Sequence, residues 1–175
     1  MDSQQAVTGG GAVVVEVLAF RVTGEDGLAF RTLARELEGG RHPDALARDL
    51  LDLHRDTVAH LLHSTSWRHE PDGRIVLTYA CCPDPRPDLS AVPLHDRALA
   101  RGAGPASPSP DEVQVAHVAA HAVRHLAFLW HTDATARQVI ESVSGLAEVL
   151  AAWSPVPAGQ LPAPERSGQV VFASR

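Results

Sequence analysis

Three histidines stand four residues apart in the second half of the chain, at His117, His121 and His125. A helix would place these side chains, here called the histidine row, within about 80° of one face. Two imidazoles one turn apart can bind one Zn²⁺, but a zinc site needs three or four ligands. Because the first and third histidines would lie roughly 12 Å apart along the helix, one ion cannot be shared by all three. The row therefore predicts a partial metal site or a polar surface.

The surroundings of the row leave three interpretations open. The segment HVAAH lacks the glutamate that acts as general base in the HExxH metalloprotease pattern, which excludes that activity. The apolar residues of the same helix fall on its opposite side, so we predict that the row lies outside the core. It then forms a plain polar face against the linker at 83–110, lines a pocket for an anionic ligand together with Arg124, or binds a metal. Phe128 on the same side indicates contact with another molecule, such as a second copy in a homodimer.

Three aspartates, Asp49, Asp52 and Asp56, are the second group that could do chemistry. Pro43 is favoured at the first position of a helix, and the leucine spacing predicts a helix over residues 43–57. On that helix the three carboxylates would fall within about 60° of one another, opposite the apolar face. Carboxylates gathered in this way could bind a divalent cation such as Mg²⁺, or they form a solvated acidic face.

The segment that contains two of these aspartates resembles the loop–helix box of the Nudix hydrolases. Residues 38–52 read EGGRHPDALARDLLD, a glycine loop that runs into a helix of the Arg-Glu-aliphatic-x-Glu-Glu type. Arg48 falls at the box arginine, Asp49 at the first helical glutamate and Asp52 at the first member of the glutamate pair. The resemblance covers residues 12–82 and is carried mostly by the order of the elements.

The box departs from the family pattern at positions expected to bind metal. Gly40 stands where the loop glutamate is expected, Leu53 replaces the second glutamate of the pair, and Arg55 replaces the glycine that ends the helix. The family implies a mixed-sheet α/β sandwich and, in active members, Mg²⁺-assisted cleavage of a pyrophosphate. Such chemistry needs several converging carboxylates, and an aspartate withdraws its carboxylate by about 1.5 Å relative to a glutamate.

We therefore expect a degenerate Nudix-like domain that binds its ligand without cleaving it. The ligand is a phosphorylated or nucleotide-like small molecule, or a partner protein, with Arg48, Arg124 and the histidine row as binding residues. One alternative is a divalent-metal-dependent hydrolase of nucleoside diphosphate derivatives that uses Asp49, Asp52 and Asp56. The other is a histidine-rich interaction module that responds to metal or pH.

The elements that must position these residues follow from hydrophobic periodicity and turn signals. Together they predict an α/β fold, a Nudix-like mixed sheet with a C-terminal helical hairpin, in a single domain over 12–153. The predicted segments are a flexible leader at 1–11, strands at 12–22 and 28–35, a helix at 43–57, a β-hairpin at 58–82, a proline-rich loop at 83–110, helices at 110–131 and 134–153, and a loose tail at 154–175.

Composition narrows the class of partner and the compartment. The formal net charge is −6 and no dense basic run is present, which argues against a nucleic-acid binder. Cys81 and Cys82 are adjacent in a strand-like run and should point to opposite faces, so a disulfide framework is not expected and a reducing compartment is natural. No stretch approaches the ~20 apolar residues of a spanning helix, and the leader lacks the features of a signal peptide. We expect a soluble, cytoplasmic protein.

Overall fold

A mixed β-sheet with helices on both faces forms the centre of the protein in a computed structural model. The structure describes residues 11–24, 27–54, 59–104, 106–107, 110–158 and 160. Within these residues the elements are β1 (Val13–Thr23), β2 (Gly27–Glu36), α1 (Pro43–Leu50), β3 (Leu61–His69), β4 (Ile75–Cys82), β5 (Val92–Pro93), α2 (Val115–Thr132), α3 (Ala134–Ser142) and α4 (Leu146–Ala151).

The strands lie in the order β3-β4-β1-β2-β5. β1 pairs with β4 in parallel and with β2 antiparallel, while β3 and β4 form an antiparallel hairpin. The predicted α/β class with a mixed sheet is confirmed, and so is the predicted hairpin. β5, a two-residue strand within the proline-rich loop, pairs with β2 and was not predicted.

The central strand β1 supplies both hydrophobic cores, because successive side chains of a strand point to opposite faces. Val15 and Val17 pack with Leu46 of α1 on one face. Leu18 and Phe20 pack on the other face with buried residues of α2, α3 and α4. The sheet is therefore the middle layer of three.

The two cysteines follow the same alternation. Cys81 lies in the core beneath α1 and Cys82 in the core beneath α2, as predicted, and both are free and buried. Burial, with a smaller contribution from the charge of Asp84, raises the pKa of the Cys81 thiol to about 12. Burial also raises the pKa of Cys82. Neither thiol is activated for nucleophilic chemistry.

The helix α1 ends at Leu50, so the predicted continuation to position 57 is wrong. Two hydrogen bonds close the helix: Leu53 N donates to the carbonyl oxygen of Arg48 at 3.0 Å, and Asp52 N donates to that of Asp49 at 3.2 Å. Asp52 has φ 56°. This is the pattern of a Schellman motif, with an aspartate in the left-handed position that glycine usually occupies. The chain therefore turns away from the helix axis at Asp52.

The helix α2 begins at Val115, so the predicted start at position 110 is wrong. Val113 and Val115 are 38% and 44% exposed, and the segment before the helix has no core in which to bury apolar side chains. The sequence Ser109-Pro110-Asp111-Glu112 matches a capping box, and its expected N-cap, Ser109, lies outside the described residues. Instead, Gln114 is the N-cap, and its backbone N–H donates to Nδ1 of His117 at 3.3 Å.

The second predicted helix of the pair is divided in two. Of the two candidate caps, Thr132 and Asp133, it is Asp133 that caps α3, accepting a hydrogen bond from Ala136 N at 2.8 Å. The chain then breaks at Gly145, which has φ 77°, and continues as α4. The predicted single helix over 134–153 is therefore wrong between positions 143 and 145, where the extended backbone of Val143 ends α3 and the left-handed Gly145 precedes α4.

The first part of the predicted loose tail is packed against the protein. We call residues 153–158 and 160 the strap. Trp153 and Val156 are only 5% and 4% exposed, and Val156 N donates to the carbonyl oxygen of Arg124 in α2 at 3.1 Å. The rest of the tail and the leader at 1–10 lie outside the described residues.

The proline-rich loop is held to the sheet by a buried carboxylate. Asp84, whose side chain is fully buried, accepts two hydrogen bonds from the guanidinium of Arg31 at 2.7 and 2.9 Å. Arg21 donates to the carbonyl oxygens of Pro87 and Leu89.

In the part of the chain that the structure describes, no helix is both long enough and apolar enough to cross a membrane.

Candidate functional site

A groove runs between the helix α1 and the edge strand β3. Two adjoining depressions form it, with volumes of about 240 Å³ and 340 Å³, and both are lined by Asp44 and Arg48. We call this surface the α1–β3 groove. The smaller depression is completed by Leu62, His63, Ser64 and Tyr79, and the larger one by His42 and Ala45.

Helix and strand geometry bring these side chains together. Asp44 and Arg48 lie one turn apart on α1, so they share one face, while the next face of the helix buries Leu46 in the core. Ser64 of β3 is directly opposite Tyr79 of β4 in the antiparallel register. A short helix therefore stands over one end of a hairpin, and polar residues of both line the space between them.

Arg48 is the cation of the groove. It is half-buried, and its guanidinium makes no hydrogen bond or ion pair with any residue that the structure describes. The neighbouring Arg41, in contrast, pairs with Asp49. Arg48 was predicted to bind ligand, and the structure leaves its five donors available at the groove.

Asp44 is the anion of the groove and is held by a phenol. Tyr79 Oη donates to Oδ1 of Asp44 at 2.6 Å. Burial, together with the Asp44 carboxylate, raises the pKa of Tyr79, so the phenol stays a donor. His42 Nδ1 accepts a hydrogen bond from Asp44 N at 3.2 Å and lies 3.6 Å from Oδ2 of Asp44.

His125 does not line the groove itself but contacts His63, which does. Nε2 of His125 lies 3.1 Å from Nδ1 of His63, and its own Nδ1 lies 3.3 Å from the carbonyl oxygen of Val156 in the strap. The ring also stacks on Phe128, with centroids 6.0 Å apart. Burial, followed by the proximity of His63, lowers the pKa of His125 to about 4. It is therefore neutral at physiological pH.

The predicted position of the histidine row outside the core is wrong for two of its three members. His121 and His125 are 8% and 3% exposed. The strap covers the side of α2 that the helical wheel shows as polar: Nε2 of His121 lies 2.9 Å from the carbonyl oxygen of Gln160. His117 serves instead at the start of the helix. His121 and His125 therefore face the strap, and His125 also contacts β3.

Arg124 lies apart from the groove residues. Its guanidinium is 5.8 Å from the ring centroid of Trp153, and it donates to the carbonyl oxygen of Arg97 at 3.3 Å. It therefore links the strap to the middle of the proline-rich loop. Its predicted role in ligand binding stays a prediction.

The predicted acidic metal site is not assembled on a helix. Asp49 pairs with Arg41, Asp52 has left α1 at the Schellman turn, and Asp56 lies outside the described residues. Among the residues that the structure describes, no three His, Cys, Asp or Glu side chains gather closely enough to hold a metal ion. Metal binding by the three aspartates therefore stays a prediction.

Of the eight residues that line the groove, only Arg48 was predicted. Local signals in the sequence account for a part of the rest. Asp44 precedes Arg48 by four residues, the spacing of a shared helix face. The hairpin turn at 70–73 fixes the register of the strand residues beside it, and that register alone would set Thr65 opposite Tyr79. A β-bulge between Ser64 and Ser66 shifts the pairing by one residue and brings Ser64 to that place. What no local signal provides is the position of α1 over that end of the hairpin.

Comparisons of the chain with family models, curated proteins and solved structures found no match. The geometry of the groove alone therefore carries the functional argument.

Proposed function

We propose that this chain is a degenerate Nudix-like domain that binds a phosphorylated or nucleotide-like small molecule in the α1–β3 groove. Arg48 binds the anionic group, and Ser64, Tyr79 and Asp44 contact the polar remainder. The domain acts by binding, without cleaving its ligand. The cytoplasm is the proposed location, which two free, buried cysteines support.

The single observation that carries the proposal is the environment of Arg48. A half-buried guanidinium without a protein partner among the described residues is uncommon, because a charge withdrawn from water needs compensation. An anionic ligand would supply it. Arginine is suited to phosphate because its planar fork can donate two parallel hydrogen bonds to the oxygens of one group.

The order of elements supports the Nudix-like part of the proposal. A strand pair, a short helix and a hairpin follow one another, and α1 covers one face of a mixed sheet. The departure of the chain from α1 at Asp52 supports binding over catalysis. In an active box this position would present its carboxylate from the helix, whereas here the helix has ended.

The test is the binding of inorganic phosphate, a nucleoside monophosphate and a nucleoside diphosphate, followed by calorimetry and by amide shifts in NMR spectra. Arg48→Ala should weaken binding roughly 10- to 100-fold, the range expected for hydrogen bonds to a charged group. Arg74→Ala is the matched control, because Arg74 pairs with Asp72 in the exposed hairpin turn. Equal affinities for the wild type and Arg48→Ala would contradict the proposal.

Incubation of the same ligands with Mg²⁺ separates binding from hydrolysis. We expect the diphosphate to be recovered intact while it still competes for the groove. Release of phosphate or of a nucleoside monophosphate by the wild type, abolished in Asp49→Asn, would favour the hydrolase alternative.

A further inference from the structure

The protonation pattern of His125 is fixed by its two neighbours. Its Nδ1 lies 3.3 Å from the carbonyl oxygen of Val156, which can only accept. Nδ1 therefore carries the proton. The ring is 3% exposed, and burial favours its neutral form, so Nε2 carries the lone pair. His125 accordingly presents an acceptor, and no donor, toward β3.

This acceptor fixes the tautomer of His63. Nδ1 of His63 lies 3.1 Å from Nε2 of His125 and 2.9 Å from the carbonyl oxygen of Ser64. Neither atom can donate, so both contacts are hydrogen bonds only when His63 carries a proton on Nδ1. The lone pair of a neutral His63 is then on Nε2, in an exposed residue that lines the groove.

Beside the Ser64 hydroxyl, which can donate or accept, the α1–β3 groove then contains one cation and two groups that can only accept. Arg48 is the cation, the Asp44 carboxylate can only accept, and Nε2 of neutral His63 can only accept. An anion without protons satisfies Arg48 but brings lone pairs toward two acceptors. An anion that carries an O–H or N–H group can satisfy Arg48 and donate to Asp44 or His63 as well.

We propose that the groove selects anions that carry a hydrogen-bond donor, and that His125 acts as a positioning residue by holding His63 in the Nδ1–H tautomer. The ligand class is a protonated oxyanion or a hydroxylated phosphate ester, such as a sugar phosphate or nucleoside monophosphate. This inference rests on the proposed function, because it concerns the same groove and the same arginine.

The first test needs no ligand. The ¹⁵N chemical shifts of the His63 ring in the full-length chain report which nitrogen is protonated. We expect a protonated Nδ1 and a bare Nε2. A protonated Nε2 in the neutral ring would overturn the proposal.

Two variants at buried positions of α2 isolate the role of His125. His125→Phe keeps a ring beside Phe128 but removes the acceptor, so the share of His63 with a proton on Nε2 should rise. His121→Phe is the matched control: it removes a buried histidine from the same side of α2, one that contacts Gln160 instead of His63. An unchanged His63 tautomer in folded His125→Phe would remove the positioning role.

The second test compares two anions of equal charge, hydrogen phosphate and sulfate, at about pH 8, where inorganic phosphate is mainly a dianion with one O–H. The wild type should bind phosphate about tenfold more tightly than sulfate, the difference that one additional hydrogen bond to an anion provides. His63→Phe should reduce this preference, because it removes one of the acceptors that distinguish the two anions. Because His63 is exposed, this variant keeps the core intact even where His125→Phe fails to fold.

The outcomes distinguish this inference from the proposed function. Equal affinities of the wild type for phosphate and sulfate, both lost in Arg48→Ala, would keep the anion site and overturn the selectivity. No binding of either anion would contradict the proposed function and the selectivity together. A phosphate preference that His63→Phe leaves intact would remove the role of His63.

Discussion

At the scale of single residues, the interior position of His125 couples protonation to folding. Its pKa in the folded protein is lowered to about 4, first by burial and then by the proximity of His63 and His121. In an unfolded chain a histidine has a pKa of about 6.5. Between these values the unfolded chain binds a proton that the folded chain does not. Stability therefore falls as the pH falls through this window.

We expect His125 to cost the protein up to about 3 kcal/mol of unfolding free energy between about pH 6.5 and pH 4. Urea unfolding of the wild type and of His125→Phe across this range measures the effect. At pH 6.5 the unfolding free energy of the variant should be lower than that of the wild type, because the Val156 carbonyl loses its donor. The stability of the variant should, however, depend less steeply on pH. Parallel curves for the two proteins would contradict the assignment, since the variant removes the group that is proposed to cause the pH dependence.

At the scale of elements, two left-handed residues mark the boundaries of helices. Asp52 occupies the position at the end of α1 that favours glycine, and Gly145 separates α3 from α4. The first break is hard to foresee because an aspartate gives no helix-stop signal, and the leucines on both sides continue a helical pattern. The second is marked by a glycine, but a single glycine inside a helical pattern is often tolerated.

Exchanging residues at these two positions should change stability in opposite directions. Asp52→Gly relieves the left-handed strain and should stabilise the protein by roughly 0.5–1 kcal/mol. Gly145→Ala should destabilise it by roughly 1–2 kcal/mol, because its new Cβ also meets Cγ1 of Val22 at 3.4 Å. Gly39→Ala is the control, since the methyl group that it adds has no atom within 4 Å and the φ of Gly39 is not positive. Thermal and urea unfolding measure all three, and a loss of stability in Asp52→Gly would contradict the Schellman assignment.

At the scale of the whole molecule, the strands can be predicted from the sequence, whereas the burial of one side of α2 beneath the strap cannot. The β-branched run of β1 and the turn at 70–73 are local signals, and they predict the sheet and its hairpin. The strap contains Pro155 and Pro157, which are typical of an irregular tail. Its contact with His125 joins residues 31 positions apart. A helical wheel compares a residue only with its own helix, so it cannot predict that another segment buries a polar face.

The same central strand serves both cores, and this links them energetically. Leu46 lies in the core beneath α1 and Leu126 in the core beneath α2, each 1% exposed. Truncation of either to alanine should cost about 2–5 kcal/mol, through lost burial and the cavity left behind. Because β1 packs into both cores, loss of one layer should remove support from the other, and unfolding should be a single cooperative transition.

Urea unfolding followed by circular dichroism and by tryptophan fluorescence tests this coupling, because the two probes report on backbone structure and on local packing. For the wild type, Leu46→Ala and Leu126→Ala, the two signals should change at the same urea concentration, with similar slopes and a lower midpoint in both variants. Leu89→Ala is the control: its side chain is 40% exposed, so its stability should stay within about 0.5 kcal/mol of the wild type. Separate midpoints for the two probes in Leu46→Ala would mean that the layer beneath α1 unfolds independently of the α2 layer. The groove that α1 forms with β3 could then open without global unfolding.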